Sequence, residues 1–281
     1  MLIVKMQGGL GNQMFQYALY CKLKSLGRKV KVDTSGYCSA SDKNGIQLAL
    51  KQFPVAIEEC SRWEKRIKNN FITINFDKHL KCSEIMYRER TSSVYYPEVL
   101  QKRWAYLDGY WQTEKYFLDI REEIVSQFSF PEAKTEIEQE WMDKISKTES
   151  VSIHIRRGDY LKHADQYGNI CTKEYYFKAI ETIEELVGAP HYFVFSDDKE
   201  WARDFLTSIE RMNFVDLGEE TGEIYDMKLM AACKHNIIAN SSFSWWASWL
   251  NQNPEKIVVA PKKWQNGKEC PDIGCSEWRH L

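Results

Sequence analysis

The chain of 281 residues has no apolar run approaching the roughly 20 residues that a bilayer-spanning helix needs. Its opening stretch, MLIVKMQGG, holds too little apolar sequence for the core of a secretory signal, so the sequence reads as cytoplasmic. It also lacks a basic excess. Lys and Arg number 38 against 40 Asp and Glu, a net charge of −2, which argues against nucleic acid as a partner. There is no C-x-x-C pair. Cys21, Cys38, Cys60, Cys82, Cys171, Cys233, Cys270 and Cys275 are scattered and read as free thiols in a reducing compartment. Cys270 and Cys275 lack the second pair or histidine cluster that would complete a zinc site, so neither a metal nor a cofactor is expected. His79, His163, His191 and His235 fall at no metal or triad spacing. The phosphate-loop signature G-x-x-x-x-G-K-[ST] is absent as well.

What is present is an alternation. In the second half, short apolar runs at 151–155, 191–196, 214–217, 236–240 and 256–260 are separated by amphipathic stretches at 173–188, 197–208, 223–234 and 244–252. Strands separated by helices of this length predict βαβ units and a parallel sheet. The first half starts the same way. A strand at 2–6 leads through a glycine-rich turn into a helix from Asn12, the expected N-cap, to Gly27, the expected C-cap. Phe15, Ala18, Leu19, Leu23 and Leu26 are its expected buried stripe. A strand follows at 30–33, then one at 105–112 and a helix at 114–130. The seam after Pro131 divides the chain into a Rossmann-like domain over 1–148 and a second over 149–281. Two such domains facing one another hold ligands at the carboxyl ends of their strands.

Three unusual sequences sit at such ends. HIRRGDY (154–160) closes an alternating strand on two arginines, a glycine and an aspartate. Alternation puts His154 and Arg156 on one face and Arg157 on the other or past the strand end. The planar guanidinium fork matches phosphate oxygens, and Asp159 can orient an arginine or accept a proton. The plainer reading is a salt bridge between an arginine and Asp159. NSSFSWW (240–246) sets Asn240, Ser241, Ser242 and Ser244 at a helix N-terminus, a ready anion site. Capping by Ser244, with the tryptophans as core, is its plainer reading. GGLGNQ offers Gly9 and Gly11 for a close backbone approach to a ligand, with amides from Asn12 and Gln13; Met14 stands where a dinucleotide fingerprint needs its third glycine. The carboxylates of FSDD (195–198) read first as a helix cap, and Asp226 on an apolar helix face requires a partner, structural or ligand.

MQGGLGNQMFQYALY, YLDGYWQTEKYF, VSIHIRRGDY, FVFSDD and DMKLMAACKHNIIANSSFSWWASWLN followed by VVAPKKW resemble glycosyltransferase family 11, the α-1,2-fucosyltransferases. They occur in the family's order from residue 6 to about 264. The resemblance implies an α/β GT-B fold of two facing Rossmann-like domains with parallel sheets, the first on the acceptor side and the second binding GDP-fucose. It implies inverting, metal-independent transfer of L-fucose from GDP-β-L-fucose to the 2-hydroxyl of a β-galactoside. His154, Arg156 and Arg157 would belong to the donor diphosphate site, with Asp226, Asn240, Ser241, Ser242 and Ser244 near it. Arg156 is the expected stabiliser of the leaving GDP, Asp159 or His154 the proton acceptor, and Tyr110 and Trp111 either stack on the acceptor sugar or pack in the core.

Other readings stand beside this one: a fucosyltransferase of α-1,6 or peptide O-linkage, a non-catalytic sugar-binding protein, and an NAD-dependent oxidoreductase using Gly9, Gly11 and Asp33. The basic run RWEKRIK (62–68) is read as a solvated helix face, leaving open weak peripheral contact with an anionic membrane.

Overall fold

A computed structural model describes residues 1–38, 47–61, 63–64, 86–158, 160–218 and 222–281. The chain divides into a unit of residues 1–129 and 271–273 and a unit of residues 130–270 and 274–281.

In the first unit, the buried strand β1 (Leu2–Lys5) passes through a turn into α1 (Leu10–Ser25). Gly8 makes that turn at φ 81°, and a Cβ there would lie 2.5 Å from Asn12 Nδ2. The N-cap of α1 is Gly9, which caps without a side chain, and Asn12 lies inside the first turn; the expected Asn12 cap is therefore corrected. The expected stripe is also too narrow. Leu10, Met14, Phe15, Tyr17, Leu19, Tyr20 and Leu23 are all buried, together with Gln13 and Gln16, whereas Leu26 is exposed. The helix is covered on several sides, with Phe15 against Phe117 and Tyr17 against Phe128. β2 (Val30–Asp33), β3 (Met86–Arg88), the short α2 (Glu98–Gln101) and β4 (Ala105–Asp108) follow. The sheet is wholly parallel in the order β2-β1-β4-β3. The strand expected to run to 112 stops at Asp108, because Gly109 and the left-handed Trp111 (φ 57°) turn the chain away. The helix expected over 114–130 breaks into two short 3-10 turns and α3 (Arg121–Gln127), since Phe117 leaves helical dihedrals (φ −140°) as it enters the core.

The second unit begins earlier than the expected boundary after 148. Its first helix, α4 (Glu136–Ser146), buries Glu138, whose carboxylate pairs with Lys228 Nζ at 2.8 Å, and sets Trp141 edge-on to Phe193. Those contacts place the seam at 129/130. β5 (Ser150–Ile155), the short α5 (Ala164–Tyr167), α6 (Lys173–Val187), β6 (His191–Ser196), α7 (Lys199–Leu206) and β7 (Met212–Phe214) follow. Then come α8 (Glu223–Ala232), β8 (His235–Ile237), α9 (Ser242–Leu250), β9 (Val258–Ala260) and β10 (Arg279–His280). All pairs are parallel in the order β10-β9-β8-β5-β6-β7. Val151, Ile153 and Ile155 pack with Tyr176, Ala179, Ile183 and Phe205 on one face. Ser152 on the other face accepts a 2.7 Å hydrogen bond from Asn236 Nδ2.

Both units are Rossmann-like, each with its own parallel sheet, and the chain is α/β. Its sheet orders locate the crevices. The chain leaves β5 for β6 on one side and returns to β8 on the other, so the β5/β8 gap is a switch point; β1/β4 is its counterpart in the first unit. Among the described residues no helix is long and apolar enough to cross a membrane, and the seven cysteines that fall there are free thiols. Of RWEKRIK only Trp63 and Glu64 lie among the described residues.

Candidate active site

β5 and β6 run level, His154 beside Phe195 and Ile155 beside Ser196, so the residues just beyond each strand meet. Arg156 Nη1 pairs with Asp197 Oδ2 at 3.0 Å, and Arg157 Nε with Asp198 Oδ2 at 3.0 Å. The second oxygen of Asp197 accepts the Arg157 backbone N–H at 2.8 Å. A Cβ on Gly158 would sit 3.0 Å from Asp197 Oδ2, so glycine lets the backbone pass close to that carboxylate. The Arg157 guanidinium also lies 4.0 Å over the ring of Trp201, a cation–π contact. Asp198 doubles as the N-cap of α7, accepting from the Trp201 N–H, as expected for FSDD. Both arginines are thus in salt bridges, with partners the sequence reading did not name. Asp197 and Asp198 take the arginines, and Asp159 lies outside the described residues. Level strand ends would have revealed the pairing in the sequence, because HIRR and FSDD follow strands of matching length.

His154 faces the β5/β8 switch point. It is 5% exposed, its ring centroid is 5.6 Å from that of Phe243 at the start of α9, and its Nδ1 is buried with no hydrogen-bond partner. Burial, assisted by the Arg156 charge, pulls its pKa down to about 3, so the imidazole is neutral. The N-cap of α9 is Ser241, whose hydroxyl accepts from the Phe243 N–H at 3.3 Å; the expected Ser244 cap is corrected. Ser244 is fully buried and turns its hydroxyl inward to the Ala239 and Ser241 carbonyls. Asn240 is buried too. Its Nδ2 donates to the Trp264 carbonyl at 3.1 Å, and its own carbonyl accepts from the Tyr160 hydroxyl at 2.8 Å, so it ties loops together beneath the helix start. Ser242 and Phe243 remain partly exposed there. Trp245, Trp246 and Trp249 are core.

The first turn of α8 adds Glu223 and Asp226. Burial raises Asp226 to about 6, opposed by Lys199 and reinforced by Asp216 and Glu223. Glu223, at the exposed start of the helix, is raised by local desolvation and held back by Arg156. Lys199, paired with Asp216 at 2.7 Å, completes the charged rim.

The β1/β4 edge of the first unit is built from amides. Gln16 Nε2 donates to the carbonyls of Gln7 and Gly109, and its Oε1 accepts from the Gln7 N–H. Gln13 is fully buried. It donates to the Gly8 and Gln47 carbonyls and accepts from the Leu50 N–H, so its amide braces the glycine turn, contrary to the expected ligand contact. Gly11 is buried in α1, while Gly9 is exposed at the turn. Asn12 Oδ1 accepts from Gln112 Nε2 at 2.7 Å. Of the aromatic pair, Tyr110 is 37% exposed, whereas Trp111 is fully buried against Tyr87 and Tyr116; of the two readings open for the pair, Trp111 takes core packing. Glu89, which the sequence did not mark, accepts the backbone N–H groups of both Tyr110 and Trp111. Among the described residues, no group of three or more His, Cys, Asp or Glu side chains is placed to hold a metal ion.

Comparison with known proteins extends this picture. The chain is 34% identical to the alpha-1,2-colitosyltransferase of Escherichia coli over 96% of its own length and 97% of that protein's. It is 31% identical to the O-antigen biosynthesis glycosyltransferase WbnK of Escherichia coli, covering 98% of this chain and 99% of that one. With galactoside alpha-(1,2)-fucosyltransferase 1 of Bos taurus it shares 26% identity, over 87% of this chain and 64% of the other. The model of glycosyl transferase family 11 matches residues 1–280, and the chain belongs to that family of enzymes.

Proposed function

We propose that this glycosyltransferase moves L-fucose from GDP-β-L-fucose to the 2-hydroxyl of a β-galactoside, with inversion and without a metal ion. The observation that carries the reading is the β5/β8 switch point, where a neutral buried His154 with an unpartnered nitrogen, the Arg156 guanidinium and the start of α9 come together. Breaking the anomeric bond leaves extra negative charge on the β-phosphate. A guanidinium and backbone N–H groups fixed in advance stabilise that charge, and one such donor commonly contributes about 3–4 kcal/mol.

The roles divide by environment. Arg157, held by Asp198 and stacked on Trp201, is a brace that orients the strand end. Arg156, the more exposed of the two and paired with Asp197, is the charge stabiliser. His154, with a pKa near 3, gives little driving force for taking a proton near neutrality and instead contacts the donor as a neutral ring. Asp159 is therefore our assignment for the proton acceptor. Asp226 completes the donor side, and Tyr110 lies on the acceptor side.

Transfer of colitose is the second reading, favoured by the name of the 34%-identical relative. Colitose is fucose without its 3-hydroxyl. A site built to hydrogen-bond that hydroxyl rejects the deoxy sugar strongly, whereas an apolar site does not reject fucose strongly. The purified protein is offered each GDP-sugar with lactose in excess chelator, and GDP release and product linkage are measured. A 2-O-fucosyl product formed in chelator supports the proposal. Turnover of the colitosyl donor alone replaces the sugar, a 6-linked or peptide-linked product replaces the acceptor, and loss of turnover in chelator refutes metal independence.

A further inference from the structure

Glu89 follows the last residue of β3 and extends its pairing, donating its backbone N–H to the Asp108 carbonyl at 2.9 Å. Its two carboxylate oxygens take successive backbone N–H groups of the next loop, Oε2 from Tyr110 at 2.6 Å and Oε1 from Trp111 at 3.1 Å. Successive N–H groups converging in this way form an anion-binding concavity. Here the anion is the chain's own side chain.

The loop requires that hold. Trp111 is a bulky residue at φ 57°, in the left-handed region that such residues avoid, and its buried Nε1 has no hydrogen-bond partner. The carboxylate also packs tightly, because a Cβ on Gly109 would lie 2.5 Å from Glu89 Cβ and 2.9 Å from its Oε2. Local strain persists only where the surroundings over-determine it, and it concentrates at binding and catalytic sites. With Trp111 pinned inward, Tyr110 is left exposed and Gln112 is held on Asn12.

We infer that Glu89 is a positioning residue for the acceptor: its carboxylate fixes the Gly109–Gln112 loop so that Tyr110 is presented to the incoming sugar. This rests on the reading above, in which the first unit receives the acceptor. Glu89 acts through the loop and takes no part in the chemistry of transfer.

The hold depends on charge. A carboxylate accepts both N–H groups, whereas a carboxylic acid turns a hydroxyl donor toward one of them. Burial lifts the Glu89 pKa to about 7, the two backbone bonds lower it, and Asp108 raises it again. The other groups around it are Tyr116, whose hydroxyl accepts the Tyr96 backbone N–H at 3.0 Å, and the cations Lys5, Arg88 and Arg90. Lys5 and Arg88 pair with Asp108, and Arg90 pairs with Glu98. The hold is therefore intact above pH 7 and weakens as pH falls through it.

The test is steady-state kinetics of the full chain with GDP-fucose and lactose from pH 5.5 to 9, for wild type and E89Q, with GDP affinity measured in parallel. E89Q is expected to raise the lactose KM about tenfold or more while leaving donor KM and GDP affinity within about twofold. In wild type the lactose KM should rise on the acid side with a midpoint near 7, a limb that E89Q loses and E89D partly restores. Equal changes in both KM values, or an acid limb that persists in E89Q, would overturn the inference. So would a fall of about a thousandfold in kcat at unchanged lactose KM, which marks a proton-transferring residue. If E89Q does not fold, a wild-type lactose KM that is flat between pH 6 and 8 overturns it alone. Hydrogen exchange at the Tyr110 and Trp111 amides reads the hold without turnover. Protection that survives in E89Q refutes it whichever sugar is transferred, whereas GDP binding without turnover of any GDP-sugar refutes the parent reading only.

Discussion

The carboxyl edges of the two sheets have the same topology and opposite chemistry. At β1/β4 the walls are glutamine and asparagine amides bonded to backbone, with one carboxylate holding a loop. At β5/β8 and its neighbour β6 the walls are two arginines braced by two aspartates, beside a histidine kept neutral by burial. Amides suit an uncharged ligand rich in hydroxyls, while fixed cations and a helix start suit a diphosphate. Both edges share one economy of design: polar groups there are engaged with the chain itself, and they divide by how far they reach toward solvent. Arg156, Ser242 and Tyr110 are the outward set; Arg157, Ser244, Asn240, Gln13 and Trp111 are the inward one.

That division breaks most sharply at Arg156. Arg156→Ala should lower kcat by about 10²–10³-fold while leaving thermal stability nearly unchanged, since its ion pair with Asp197 is partly exposed to solvent. A variant that unfolds while its surviving molecules turn over normally would make Arg156 a brace like Arg157. On the amide edge the counterpart is Gly109→Ala. The added Cβ would meet Glu89 and Trp111 atoms at 2.5 and 2.9 Å, so the loop must shift, at about 1–3 kcal/mol of stability. Urea denaturation reads the loss, and the lactose KM should rise while GDP affinity holds. A fall in GDP affinity instead would deny that the two edges serve different ligands.

The sequence shows the parallel sheets and the three turns at strand ends because period-two apolar runs, glycine turns and clustered arginines are local signals. It hides which polar residue faces in. Arg156 and Arg157 are adjacent and chemically identical, and their roles separate only because Trp201 and Asp198 arrive from β6 and α7. Trp111 looks like a sugar platform beside Tyr110, and becomes core through a left-handed turn that glycine spacing does not announce. Glu89 carries no local mark, since its partners lie 21 and 22 residues further along the chain. The division of the chain falls ahead of α4, at 129/130, because Glu138 meets Lys228 in the second unit, a contact the sequence does not show.

Asp198→Ala tests the inward set. It removes the cap of α7 and the partner of Arg157 together, and the cap alone is worth about 1 kcal/mol. The expected total is about 2 kcal/mol of stability by urea denaturation, with a smaller loss of kcat than Arg156→Ala produces. A larger loss of kcat than that variant's would move Arg157 into the outward set.

The smallest effect expected concerns Asp226, and its sign is the informative part. Burial raises its folded pKa to about 6 from 3.8, so between those values the folded chain holds more protons than the unfolded one. Stability contributed by this group therefore falls as pH rises from about 4 to 6 and stays low above. His154 runs the other way. Its folded pKa near 3 lies below the 6.5 of a free histidine, so its contribution grows as pH rises through that window. Asp226→Asn should accordingly match wild type near pH 4 and exceed its stability at pH 7 by on the order of 1 kcal/mol, after allowance for solvent screening. Measuring GDP affinity on the same samples gives the gain its meaning. Weaker GDP binding in a more stable protein means that the buried carboxylate is kept, at a cost in stability, for the donor. Unchanged GDP binding would remove Asp226 from the donor site and leave the charged edge defined by Arg156 and His154.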